Sequence, residues 1–141
     1  MYLQTQFSVF LVNKPGVLAQ VTGALAKAKI NIIALTLMDS MEHGVLRLVC
    51  EDSGAARKVL GKAHDRWTET EVLVIELANN PGAFSAVVEK LADNHINISY
   101  AYCTSGARGG KTNGVFKIAD MKKGIKLLEA DMKETVKNAR S

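Results

Sequence analysis

The sequence predicts an α+β fold made of two copies of one strand-helix-strand-strand-helix-strand unit, each an antiparallel sheet with its helices on one face. Three observations carry this expectation. The stretch Asn13-Lys14-Pro15-Gly16-Val17-Leu18 returns as Asn79-Asn80-Pro81-Gly82-Ala83-Phe84. The same offset of 66 residues places Leu77, Val87, Leu91, Ala92, Ile96, Asn97 and Ile98 on Leu11, Val21, Leu25, Ala26, Ile30, Asn31 and Ile32 without a gap. Each Pro-Gly pair also closes an apolar run too short for a helix and opens a segment whose apolar residues recur at helical spacing.

The chain has 141 residues, 48% of them hydrophobic, which is ordinary for a folded protein. Two units divide it at about 1–69 and 70–141. A unit of that size is near the lower limit for a self-sufficient core, so surface should be buried on a neighbour, the halves packing together and the whole forming a homodimer.

Phe7 to Val12 is the first strand, short and rich in Phe and Val. Proline biases Lys14 away from helical geometry and is at home in a first helical turn, so a helix should start at about Pro15, with Leu18, Val21, Leu25 and Ala28 inward. Ile30 to Met38 is a long strand with Ile30, Ile32 and Ala34 on one face and Ile33, Leu35 and Leu37 on the other. Both faces are apolar, so the second should be covered by the other repeat or another chain. Asp39 to Gly44 turns the chain, Val45 to Cys50 is the next strand, and Ser53 caps a helix with Ala56, Val59, Leu60 and Ala63 inward. A short strand follows at about Arg66 to Glu69.

The second copy gives a strand at Val72 to Leu77, a helix at Pro81 to Asn94, and strands at Ile96 to Cys103 and Val115 to Ala119 around a glycine-rich turn. Asp120 caps the last helix. Ile125, Leu128, Met132 and Val136 keep helical spacing, which predicts a helix to about Lys137; the alternative is a break near Ala130 or Asp131 and a short edge strand.

Little else points to chemistry. The formal charge of +4 is mild and scattered, which does not favour nucleic acid. No apolar run approaches the length of a spanning helix and no signal peptide is visible, so the expected location is the cytoplasm. Cys50 and Cys103 are expected as buried free thiols. Ser105 to Thr112 is one residue short of a phosphate-binding loop, but Val115 to Ile118 reads as a strand where such a loop needs a helix. His43, His64 and His95 have no partner at metal-ligand spacing, so neither a metal nor a cofactor is expected. No nucleophile or carboxylate pair stands out, which leaves catalysis unsupported, and Trp67 reads as a packing anchor between the repeats.

The Pro-Gly turns differ from these. A helix start exposes backbone N–H groups where partial positive charge favours a carboxylate, and Asn13 and Asn79 add amides that both donate and accept, which suits a zwitterion. A plain strand-to-helix turn would use the same residues.

Asn-x-Pro-Gly-x-Leu at the first helix, with Ile-Asn-Ile at the second strand, resembles the ACT domain over Phe7 to about Glu69, and the arrangement repeats over Val72 to about Leu128. The resemblance implies two ferredoxin-like βαββαβ units, a tandem ACT protein, that bind an amino acid where two units meet. By position it implies that Asn13 and the run Lys14, Pro15, Gly16, Val17 and Leu18 hold the ligand from one unit, and that Asn31 and Ile32 reach it from the facing strand. In the second copy these are Asn79, Asn80, Pro81, Gly82, Ala83 and Phe84, with Asn97 and Ile98. Leu11 and Leu77 stand where serine-sensing members carry histidine, which argues against serine, and Lys14 against Asn80 makes the copies unequal.

The expected function is therefore a non-enzymatic regulatory protein that senses an amino acid and acts on an enzyme or regulator of amino-acid metabolism. Two rivals remain at this level. One is a structural or interaction module that binds no small molecule. The other is a nucleic-acid binder, for which Tyr100 and Tyr102 are the only aromatic candidates on a central strand.

Overall fold

A computed structural model describes residues 1–12, 14–39, 43–63, 66–104 and 110–140. Asn13, His64, part of the Asp39 to Gly44 turn and most of the Ser105 to Thr112 loop lie outside the described residues. The chain divides into two compact units, Tyr2–Val72 and Leu73–Ser141 with Met1.

The first unit holds β1 (Tyr2–Val12), α1 (Val17–Lys27), β2 (Ile32–Asp39), β3 (His43–Cys50), α2 (Ser53–Ala63) and the beginning of β4 (Trp67–Ala78). Its strands pair antiparallel in the order β2-β3-β1. Alternation sends Phe7, Val9 and Leu11 of β1 and Leu46, Leu48 and Cys50 of β3 to one face, where Val21, Leu25, Ala56 and Leu60 of the helices close the core. Each large apolar side chain so buried contributes about 1.5 to 3 kcal/mol.

The second unit continues β4 and adds α3 (Ala83–Asp93), β5 (Ile98–Thr104), β6 (Lys111–Ile118) and α4 (Met121–Arg140), with its strands in the order β4-β6-β5. Leu73, Ile75 and Leu77 of β4 pack with Phe116 and Ile118 of β6, Leu91 of α3 and Leu128 of α4. The tandem α+β architecture thus follows from the repeat.

Several boundaries move for identifiable reasons. The first strand reaches back to Tyr2 because Gln4 Nε2 donates to the carbonyls of Cys50 and Glu51 at 3.0 and 3.2 Å, tying a polar segment to the end of β3. Both Pro-Gly helices begin two residues late, at Val17 and Ala83, because Gly16 and Gly82 take φ of 89°, outside helical geometry. Asp52, rather than Ser53, caps α2: its Oδ1 accepts from Ala55 N–H at 3.0 Å. Asp120 caps α4 as expected, accepting from Lys123 N–H at 3.0 Å.

The two-faced reading of the second strand is corrected by a bulge. Ile32 pairs with Cys50, but Ala34 pairs with Val49, so Ile33 is an extra residue and the alternation slips by one. Leu35 and Leu37 then lie opposite Leu48 and Leu46, on the same face as Ile32, but on this outer strand both stay exposed. Ala34 and Val49 take the other face and are buried there. The same slip separates Ile98 from Tyr100 in the second unit.

The expected strands Arg66 to Glu69 and Val72 to Leu77 are one strand, since Thr70 and Glu71 between them break nothing. Trp67 packs against the core of the first unit. Cys50 is buried, but Cys103 is exposed, because it sits at the end of β5, an outer strand in its unit's order. The last helix does run on, to Arg140.

Candidate functional site

The first Pro-Gly turn is built by the end of β1 and the start of α1. Lys14 N–H donates back to the Val12 carbonyl at 2.9 Å, which curls the chain as it leaves the sheet. Gly16 then takes φ 89° and ψ −14° as the N-cap, with no side chain capping the helix. The first intrahelical bond runs from Gln20 N–H to the Gly16 carbonyl at 2.9 Å, so the N–H groups of the opening turn are left without an intrahelical acceptor. A side chain at residue 16 would be disfavoured by this φ, although a Cβ there would meet nothing within 4 Å.

Beside this turn lies a pocket of about 250 Å³ lined by Leu11, Val12, Lys14, Val17, Leu18, Leu37, Met38 and Gly44. The volume lies just below the ~300 Å³ at which small-molecule sites usually begin, so only a compact ligand fits. Among the described residues, Lys14 is its one charged lining residue. Gly44 shapes the wall: a Cβ there would approach Leu37 Cδ1 to 3.3 Å, so the missing side chain lets Leu37 lie across β3.

Of the residues expected in the site, Lys14, Val17 and Leu18 come together here, with Pro15 and Gly16 between them in the chain. Asn13 lies outside the described residues. Asn31 is exposed at the other end of β2, where its carbonyl accepts from Glu51 N–H at 3.0 Å. Six residues of strand separate it from Leu37, about 20 Å. Ile32, next to it, is half-buried against the core. Within one unit the turn and the asparagine therefore do not meet.

In the second unit Gly82 repeats the geometry, with φ 89° and ψ −12°. Asn79, Asn80, Pro81 and Gly82 are exposed and Ala83 is half-buried. The Phe84 ring stacks on Phe116, with centroids 5.4 Å apart and planes inclined by 20°. Asn97 and Ile98 line a different pocket of about 510 Å³ with Val88, Ala92, His95 and Ile96, at the far end of α3.

Sequence reasoning missed Val12, Leu37, Met38 and Gly44 as pocket walls. A signal existed in the strand order itself, which brings the end of β2 and the start of β3 beside the end of β1. Among the described residues no three His, Cys, Asp or Glu side chains gather as a metal site, and no helix is long and apolar enough to cross a membrane. Lys111 and Thr112, the end of the near-phosphate loop, already belong to β6.

The family model for the ACT domain pair matches residues 1–138. Among solved structures, the chain is similar to protein BT0572 from Bacteroides thetaiotaomicron, at 33% identity and a TM-score of 0.83 over 92% of this chain and 89% of that one. It also resembles the aspartokinase alpha and beta subunits (17% identity, TM-score 0.62, 94% and 96% covered). The regulatory subunit of aspartate kinase from Thermus thermophilus, in its ligand-free form, is alike at 13% identity, TM-score 0.62, with 92% and 97% covered. These last two likenesses are of fold. No curated protein matches the sequence.

Proposed function

The chain belongs to the ACT domain pair family, and from that premise we propose that it is a non-catalytic, cytoplasmic regulatory protein that binds an amino acid at the Pro-Gly turn of an ACT unit. The observation that carries this reading is the pocket of about 250 Å³ beside Lys14, Val17 and Leu18. One wall offers the open helix start and the Lys14 ammonium, which suit a carboxylate. The other walls are Leu, Val and Met side chains, which suit a compact apolar side chain on the ligand.

The remaining half of the site is Asn31 or Asn97 of a second copy of the chain, since Asn31 stands a strand's length from its own turn. A homodimer supplies that copy. The ligand then regulates by binding one arrangement of the protein more tightly than another, and an enzyme or regulator of amino-acid metabolism reads the difference.

Calorimetry and thermal-shift measurements against the twenty amino acids test this. A member of the apolar set should give heat and raise the melting temperature, by the equivalent of about 2.7 kcal/mol at one hundred times Kd. Gly16→Val should abolish that response with the fold kept. Silence from all twenty would instead favour an interaction module, a reading encouraged by the exposed Leu35, Leu37 and Met38 on β2.

A further inference from the structure

We infer that, among the described residues, only the first unit keeps an open turn-side pocket, and that the second unit covers the equivalent space with its own Phe84–Phe116 pair. The inference rests on the reading of the turn as a ligand site, which it narrows to one ligand per chain.

Strand register fixes which residues are equivalent. Phe7 lies opposite Leu48 as Leu73 lies opposite Phe116, and Val9 lies opposite Leu46 as Ile75 lies opposite Gly114. Leu48 is thus replaced by a phenyl ring and its neighbour Leu46 by a glycine. The two changes act together. A Cβ on Gly114 would come within 2.7 Å of Phe116 Cε2 and 3.3 Å of Leu77 Cδ1, so the ring lies over the space that a side chain at 114 would occupy. Leu77 is the counterpart of Leu11, which lines the first pocket.

Phe84, at the position of Leu18, then stacks on that ring at 5.4 Å. Where the first unit has two leucines, the second thus has a fully buried Phe116 ring covered by the Phe84 ring, which is itself 38% exposed. The pocket glycine changes too: Gly44 lies opposite Leu11, but Thr112 lies opposite Leu77. The helix start is also altered, since Ala83 N–H donates to the Asn80 carbonyl at 3.4 Å. The glycine at 114 would by itself add room, which the Phe116 ring takes up; the exchanges of Leu18 for Phe84 and of Gly44 for Thr112, with the Ala83–Asn80 bond, reduce room or donors at the second turn.

The test uses the full chain and two probes. With benzene, a small apolar probe that enters dry pockets, methyl NMR signals of Leu11 and Leu18 should shift while that of Leu77 should not. Equal shifts at Leu77 overturn the inference even if no amino acid binds, and benzene shifts confined to the first unit support it. With any amino acid found to bind, titration should give one site per chain. Leu18→Phe should weaken binding at least tenfold, and Phe84→Leu with Phe116→Leu should raise the count to two. A wild-type count of two, or binding lost on changing Phe84 but not Leu18, overturns it. If amino acids fail to bind but benzene behaves as stated, the functional reading falls and the covered second pocket stands.

Discussion

Gly16 and Gly82 share φ of 89°, and neither would bring a Cβ within 4 Å of another atom. Alanine there should therefore cost backbone energy alone, about 1 to 2 kcal/mol at either position, with nearly equal losses in urea titrations. Unequal losses would mean that something more than the backbone holds one turn. The two cysteines separate more sharply. Burial pushes the Cys50 thiol up to about 11 and raises that of Cys103 as well. Cys50 is fully buried while Cys103 is exposed, so a thiol reagent should label one cysteine per native chain and two after unfolding. The sign of the pH effect follows from the folded pKa lying above the unfolded one. Cys50 favours the fold fully below about pH 9, and that contribution is lost as pH rises from there towards 11. Chemical denaturation across that range should show falling stability, with a smaller fall in Cys50→Ala. The cysteines also mark where sequence reading stopped: both sit in apolar runs, and only strand order distinguishes the centre of a sheet from its edge.

At the level of elements, the helix starts, the caps and the repeat were legible because each depends on a few neighbouring residues. The bulge was not. Ile32-Ile33-Ala34-Leu35 alternates smoothly as written, and the slip at Ile33 arises from pairing with β3, a partner absent from any local window. Its effect was to exchange the faces of Leu35 and Leu37, which is why Leu37 emerged as a pocket wall only in the structure. Helix α4 gives a case in which propensity and packing oppose each other. Gly124 is buried in its first half, and a Cβ there would overlap Ile118 Cδ1 and sit 3.7 Å from Leu91 Cδ2. Propensity favours alanine over glycine in a helix by about 1 kcal/mol. The overlapped atom is the end of the Ile118 side chain, which is buried beside Leu91 and has little room to turn aside, so the clash should cost more, about 1 to 3 kcal/mol, and Gly124→Ala should lower the melting temperature. A rise would mean that α4 can lift from Ile118 without loss. The Lys90–Asp131 ion pair at 2.8 Å, which also joins α3 to α4, is half-exposed and contributes at most about 1 kcal/mol.

For the molecule as a whole, the offset of 66 residues was enough to read the architecture, since an ungapped repeat carries every element with it. The candidate pocket was legible only in part: Lys14, Val17 and Leu18 came from a contiguous motif, whereas Met38 and Gly44 reach it across the sheet. Beyond those positions, one consequence follows from β4. It runs unbroken from Trp67 to Ala78, through the place where one copy of the repeat gives way to the next. Sequence repeats of this kind invite dissection into separate modules, and here the natural cut, between residues 69 and 70, severs a strand. Fragments 1–69 and 70–141 should each lack a cooperative melt by circular dichroism, and sharp separate transitions would refute this. The repeat has no spacer at its seam: the same strand ends one copy and begins the next, so neither copy can be lifted out whole.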